Sequence, residues 1–213
     1  MNTAFGYSKA IIRPIPDLAM MLKDYFKTTE KTQRKDVNAS FFRLFIDYFS
    51  PPIHIDTTLR HFNHNTTGKD SAAFGKLYLG NIINASNYEQ LKYYKITKIY
   101  NITSEIRCYF KHLTDEFQYN QYTIKDVKNA AFNTDEFKIM LQQLRDDIIA
   151  GHNVLVHCHH GRSRSVTLIT GYIMKFYNLT ADHAYACVKH FKNSVNINQD
   201  LFNQLQSLQD DLN

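Results

Sequence analysis

The 213-residue sequence predicts an α/β fold, a mostly parallel twisted sheet flanked by helices, preceded by a helical N-terminal extension. Three observations carry this. From Lys76 onward, short β-branched and aromatic stretches alternate with longer stretches of helical periodicity, the pattern of strands joined through helices. Between Val154 and Phe176, an apolar strand runs into a tight loop and then directly into a helix, which places that loop at the carboxyl end of a central strand. A hydrophobic share of 44% with 14% aromatic residues supplies one sizeable core and excludes a disordered chain.

Residues 1–70 read as the helical extension and a linker. Pro14 and Pro16 interrupt any structure running through them, and Asp17 is placed to cap a helix carrying Leu18, Met21, Leu22, Tyr25 and Phe26. A second helix spans Ala39 to Phe49, with Ser40 as a cap and Phe41, Phe42, Leu44, Phe45, Tyr48 and Phe49 along it. Ser50-Pro51-Pro52 ends it. An aromatic face of this kind must be buried, either on the rest of the chain or in a homodimer or docking interface. His54 to Lys69, polar and closing on Asn65-Thr66-Thr67-Gly68, reads as the linker.

Further along, Leu77 to Gly80 and Ile96 to Thr103 read as strands, with a short helix between them for which Ser86 and Glu89 form a capping box. Tyr119 to Ile124 is the next strand. A helix then begins at Asn133 or Thr134, lays Phe137, Met140, Leu141, Leu144, Ile148 and Ile149 on one face, and stops at Gly151. Val154 to Val156 is the strand that leads into the loop, and Val166 to Phe176 the helix that follows. Thr180 to Phe191 and Gln199 to Leu212 complete the helices. The stripe Leu201, Leu205, Leu208 and Leu212 faces the core, as do Cys187 and its neighbours Ala184, Val188 and Phe191.

Charge and cysteine usage narrow the chemistry. The net charge of +5 is spread, with ten Lys or Arg against seven acids in residues 1–75 and fifteen against thirteen in the remainder. An anionic substrate is favoured without a nucleic-acid-binding arm. Cys108, Cys158 and Cys187 are too few and too scattered for a disulfide framework, and no signal-peptide core or membrane-length apolar run is present. A soluble intracellular protein with no membrane partner is the expectation.

The loop itself carries the reaction. Five residues separate Cys158 from Arg164, so the turn brings a thiol and a guanidinium to one point. Successive backbone N–H groups around such a turn form an anion nest, and the helix behind it adds the positive end of its dipole. Arg164 contributes a planar fork that fits two phosphate oxygens. The same positive field favours Cys158 as thiolate, the nucleophilic form. Metal binding by His157, Cys158, His159 and His160 is the competing reading. It fails because adjacent side chains diverge and no partner pair stands at finger-like spacing. No metal and no other cofactor is expected.

The stretch His157-Cys158-His159-His160-Gly161-Arg162-Ser163-Arg164-Ser165 resembles the signature loop of the cysteine-dependent dual-specificity protein phosphatases, His-Cys-x-x-Gly-x-Ser-Arg-Ser, at every fixed position. The resemblance implies a phosphocysteine on Cys158, phosphate binding by Arg164 and by the loop residues His159, His160, Gly161, Arg162 and Ser163, and assistance by Ser165 when the thiolate departs. Leu77-Tyr78-Leu79-Gly80 and Ile96-Thr97-Lys98-Ile99-Tyr100-Asn101 are similar to further stretches of the family, so residues 71–213 are expected to form its catalytic domain. Asp126 stands 32 residues before Cys158 in the context Tyr122-Thr123-Ile124-Lys125-Asp126, which also resembles the family. An oxygen leaving group needs a proton in the transition state, and Asp126 is the candidate general acid and base. Asp135, its nearest competitor, falls in the first turn of a helix, where a negative charge is stabilising.

The expected substrate is a phosphorylated protein, at phosphotyrosine and phosphoserine/threonine, because nothing resembles the pocket-deepening segment of tyrosine-specific relatives. RNA 5′-phosphatase or phosphoinositide phosphatase activity is the alternative, since His159-His160-Gly161 is similar to a Thr-His-Gly found in relatives acting on RNA ends. Those relatives follow the arginine with Thr-Gly and lack the acid, whereas this chain has Arg164-Ser165 and Asp126. The Asn-, Lys-, Tyr- and Ile-rich composition without Trp resembles viral members of the family, those of baculoviruses among them. Some viral relatives dimerise through an N-terminal helix, which bears on the aromatic helix above.

Overall fold

The computed structural model describes residues 51–55 and 74–212. The two N-terminal helices expected within residues 17–49 therefore lie outside the described residues.

The described chain runs β1 (Ile53–Ile55), β2 (Leu77–Gly80), α1 (Ile82–Ser86), α2 (Tyr88–Tyr93), β3 (Ile96–Asn101), β4 (Gln118–Gln121), α3 (Thr134–Ile149), β5 (Asn153–His157), α4 (Arg164–Tyr177), α5 (Ala181–Phe191), α6 (Gln199–Ser207) and α7 (Gln209–Leu212). The sheet order is β1-β2-β5-β3-β4, so β5 is central. Its pairings with β2 and β3 are parallel, as is β3 with β4, and only β1 with β2 is antiparallel.

Strand alternation splits the core between the two faces of the sheet. Leu77 and Leu79, Tyr100, and Val154 and Val156 enter the larger cluster, under Phe137, Leu141, Leu168 and Leu201. Tyr78, Ile99 and Leu155 point the other way, against Leu91 and Phe117. Ile96 shares a face with Ile99 despite odd spacing, because a register shift between Ile96 and Lys98 inserts one residue and inverts the alternation.

Several expectations are refined. His54 and Ile55, read as the start of a linker, pair with Tyr78 and Leu77 in the sheet. Three residues are too short a strand to show a period, which is why β1 escapes a pattern-based reading. Asn81 and Asn84, rather than Ser86 and Glu89, form the capping box, at the head of α1. Asn87 caps α2 by accepting from Gln90 N, which leaves Ser86 as the last residue of α1. Ile149 is 49% exposed, one step past the buried stripe of α3, which ends at Ile148. The helix expected from Gln199 to Leu212 is divided at Leu208, where Ser207 Oγ donates back to Gln204 O at 2.8 Å. The leucine stripe nevertheless stays buried throughout. β4 ends at Gln121, three residues before the predicted end, and hands the chain to the segment holding Asp126. Among the described residues no helix is long and apolar enough to cross a membrane.

Candidate active site

The loop of residues 158–163 sits at the carboxyl end of β5, between that strand and α4. Its shape is imposed from outside. The carbonyl of His157 accepts from Ile102 N at 3.0 Å, that of His159 from Ile82 N at 3.1 Å, and that of Arg162 from Asn196 N at 2.8 Å. Lys192 Nζ donates to Gly161 O at 3.0 Å, and Thr167 N to Ser163 O at 2.7 Å. In a trans peptide a carbonyl and the following N–H point in opposite directions. Drawing these carbonyls outward therefore turns the N–H groups of His160, Arg162, Ser163 and Arg164 toward the loop interior. Inward N–H groups of this kind are what an anion nest requires.

Ser163 is the residue before α4, yet its side chain makes no capping bond to that helix and accepts instead from Asn198 N at 3.1 Å. The N–H groups at the start of α4 thus keep their donors for a ligand. Gly161 adopts φ of +63°, and a Cβ there would stand 2.5 Å from Gly80 O. Gly161→Ala is expected to displace the loop and lower kcat/KM for any phosphomonoester by roughly 10–100-fold, with the strain felt at the reacting atoms, as steady-state phosphate release would measure.

Cys158 lies at the floor of the loop, 2% exposed. Gly161 N donates to its Sγ at 3.3 Å and Ser165 Oγ stands 3.2 Å away, two groups able to stabilise a thiolate. Arg164 opens α4 and is buried. One terminal nitrogen pairs with Glu105 Oε1, while its Nε has no hydrogen-bond partner and stands 3.9 Å from Asp126 Oδ2. Burial alone pushes the guanidinium pKa down, but the Cys158, Glu105 and Asp126 charges outweigh it and raise the pKa overall. An unfilled, buried donor on a permanently charged fork is a place made for an anionic oxygen.

Asp126 is exposed, on the loop after β4, and reaches the same point. Cys158, Arg164, Asp126 and Ser165 are thus brought together. Of the remaining loop residues, His159 is 3% exposed, Arg162 directs its Nε at Ser194 O, 2.8 Å away, and His160 is exposed. Glu105 and Asn198 contact the site without a signal in the sequence. Neither belongs to the loop pattern, and both arrive from segments between regular elements. Asp135 falls in the first turn of α3, as anticipated.

Residues 77–211 match the dual specificity phosphatase catalytic domain. The chain belongs to that family. A Slingshot protein phosphatase homologue of Xenopus laevis is 35% identical over 143 residues, 66% of this chain and 20% of the relative. Dual specificity protein phosphatase 1 of Arabidopsis thaliana is 33% identical over 135 residues, 62% of this chain and 65% of the relative. The crystal structure of DUSP15, 28% identical, superposes with a TM-score of 0.56 over 62% of this chain and 82% of that one. The chain spans from 20% to 65% of the length of these two curated relatives.

Two buried histidines, one ending β5 and one in the loop, add a pH dependence. His157 is fully buried. Burial lowers its pKa to about 4, the adjoining Cys158 backbone pulls it up by less, and the Arg164 charge adds to the lowering. Burial, then His160 and Arg164, lower that of His159 to about 3. The unfolded chain therefore binds protons that the folded chain refuses below pH 6.5, the ordinary histidine value. Stability from these groups is complete above pH 6.5 and falls as the pH drops toward 4 and below, by about 3 kcal/mol for His157. Thermal unfolding midpoints measured from pH 7 to pH 4 should decline accordingly, and decline less steeply in His159→Gln.

Proposed function

We propose that the chain is a phosphoprotein phosphatase that hydrolyses phosphotyrosine and phosphoserine/threonine through a phosphocysteine on Cys158. The observation that carries this reading is the meeting of a cysteine in the loop, a guanidinium donor without a hydrogen-bond partner at the head of α4 and a carboxylate from the segment after β4. The Cys158 thiolate attacks phosphorus as the bond from phosphorus to the leaving oxygen breaks, and Asp126 gives that oxygen its proton. Arg164 and the loop N–H groups hold the three equatorial oxygens. Water then attacks the phosphocysteine and gives a proton to Asp126. Ser165 Oγ, beside the sulfur, donates to the departing thiolate, and inorganic phosphate leaves.

The RNA 5′-end and phosphoinositide alternatives rest on extra donors at His160 and Arg162. Arg162 commits its Nε to Ser194 O, which weakens them, while His160 is exposed and keeps them as outcomes of the test below. Residues 71–213, joined by β1, are proposed as the catalytic domain. Composition supports a viral source and action inside a host cell.

The test is phosphate release from phosphotyrosine and phosphothreonine peptides, a phosphoinositide and 5′-triphosphorylated RNA. Turnover of the peptides supports the reading, and turnover confined to RNA or inositide replaces it. Asp126→Asn is expected to lower kcat for phenyl phosphate by roughly 10²–10³-fold while sparing activated aryl phosphates, because a good leaving group needs no proton.

A further inference from the structure

We infer that Asn198 is a positioning residue that holds the Asp126 carboxylate against the phosphate-binding loop; this rests on the role proposed for Asp126. Asn198 is the residue before α6, and hydrogen bonds tie it to three segments at once. Its backbone N–H donates to Ser163 Oγ in the phosphate loop at 3.1 Å. Its side-chain Oδ1 accepts from Asp200 N at 2.9 Å, capping α6. Its Nδ2 donates to Asp126 Oδ1 at 3.2 Å and to Val127 O at 3.0 Å.

The orientation of this amide is determined by its partners. Only an oxygen can accept from Asp200 N–H, so the NH₂ group, with its two hydrogens, must face the acid segment, where two acceptors stand. Beyond Asp126 the same segment stays attached to α6. Asn129 N donates to Asp200 Oδ2 at 2.8 Å, and Gln204 accepts from Phe132 N at 3.0 Å and donates to Phe132 O at 2.7 Å. Asp126 itself is exposed and approaches Arg164 Nε at 3.9 Å. Without Asn198 that contact would hold the carboxylate by charge alone, which sets no direction for its proton. With Asn198, Oδ1 is occupied and Oδ2 is left on the side of Arg164.

The capping duty and the positioning duty are separable. Ser and Asp both cap helices well, and neither can donate as the amide NH₂ does. Asn198→Ser and Asn198→Asp should therefore keep the thermal midpoint near that of the parent while losing the hold on Asp126. The measurement is kcat for a series of aryl phosphates of rising leaving-group pKa, in the full chain, with Asp126→Asn alongside. The expected result is a steeper dependence in both Asn198 variants, with kcat down roughly 10–50-fold for phenyl phosphate, under about 3-fold for 2,4-dinitrophenyl phosphate, and KM unchanged. A uniform loss across the series, or none, overturns the inference if Asp126→Asn steepens the dependence. A flat series in Asp126→Asn itself overturns the general-acid reading instead.

Discussion

Cys158→Ser is expected to reduce phosphate release from every substrate by roughly 10⁴-fold or more, to the level of the blank. The two side chains differ by one atom, and the loop would scarcely notice the exchange. Cys158 is buried and its loop is held by carbonyls bound to Ile102, α1, α4, Lys192 and Asn196, none of which depends on the sulfur. What changes is the nucleophile. A sulfur that accepts from the Gly161 N–H and stands beside the Ser165 hydroxyl is intrinsically a far better nucleophile than a serine oxygen in the same place. The same variant should still bind a phosphopeptide, because the donors that recognise the phosphate are intact. Steady-state release and equilibrium binding measured on one preparation check both halves. Retained turnover would move the nucleophile elsewhere.

Legibility in the sequence followed the length over which a pattern runs. Most strands and helices from Leu77 to Leu212 are visible because apolar residues repeat along them, β4 with Gln118-Tyr119-Asn120-Gln121 being an exception, and the candidate loop is visible because cysteine, glycine and arginine fall within one short stretch. Contacts between distant segments leave no such trace. Glu105 meets Arg164 across 59 residues of chain, and Asn198 meets Asp126 across 72. Each is an ordinary polar residue in an irregular segment, and only the packing of β3 and α6 around the loop selects it. The caps misread at α1 and α2 have a related cause. Asn81, Asn84, Ser86 and Asn87 are all competent caps, and which of them terminates a helix is decided by where the neighbouring strands release the chain.

Arg164→Lys should lower kcat by roughly 10²–10³-fold and raise KM as well, although the charge is retained. The guanidinium has two duties. One terminal nitrogen is committed to Glu105, and Nε, without a hydrogen-bond partner, is the donor proposed to meet the phosphoryl oxygens. A planar group does both at once because its donors are fixed along different edges. The lysine ammonium is a single point at the end of a flexible stem, so it must choose between the Glu105 carboxylate and the phosphoryl oxygens. As charge builds on the equatorial oxygens in the transition state, a fork already in place strengthens its bonds without moving, whereas an ammonium drawn to Glu105 must first be recruited. This argument also predicts partial rescue. Removing the competitor in Arg164→Lys/Glu105→Gln should recover part of the lost kcat, while Glu105→Gln alone, with the fork intact, should cost less than either. A double-mutant cycle on kcat and KM measures that coupling, and strictly additive losses would mean that Glu105 and the substrate do not compete for residue 164.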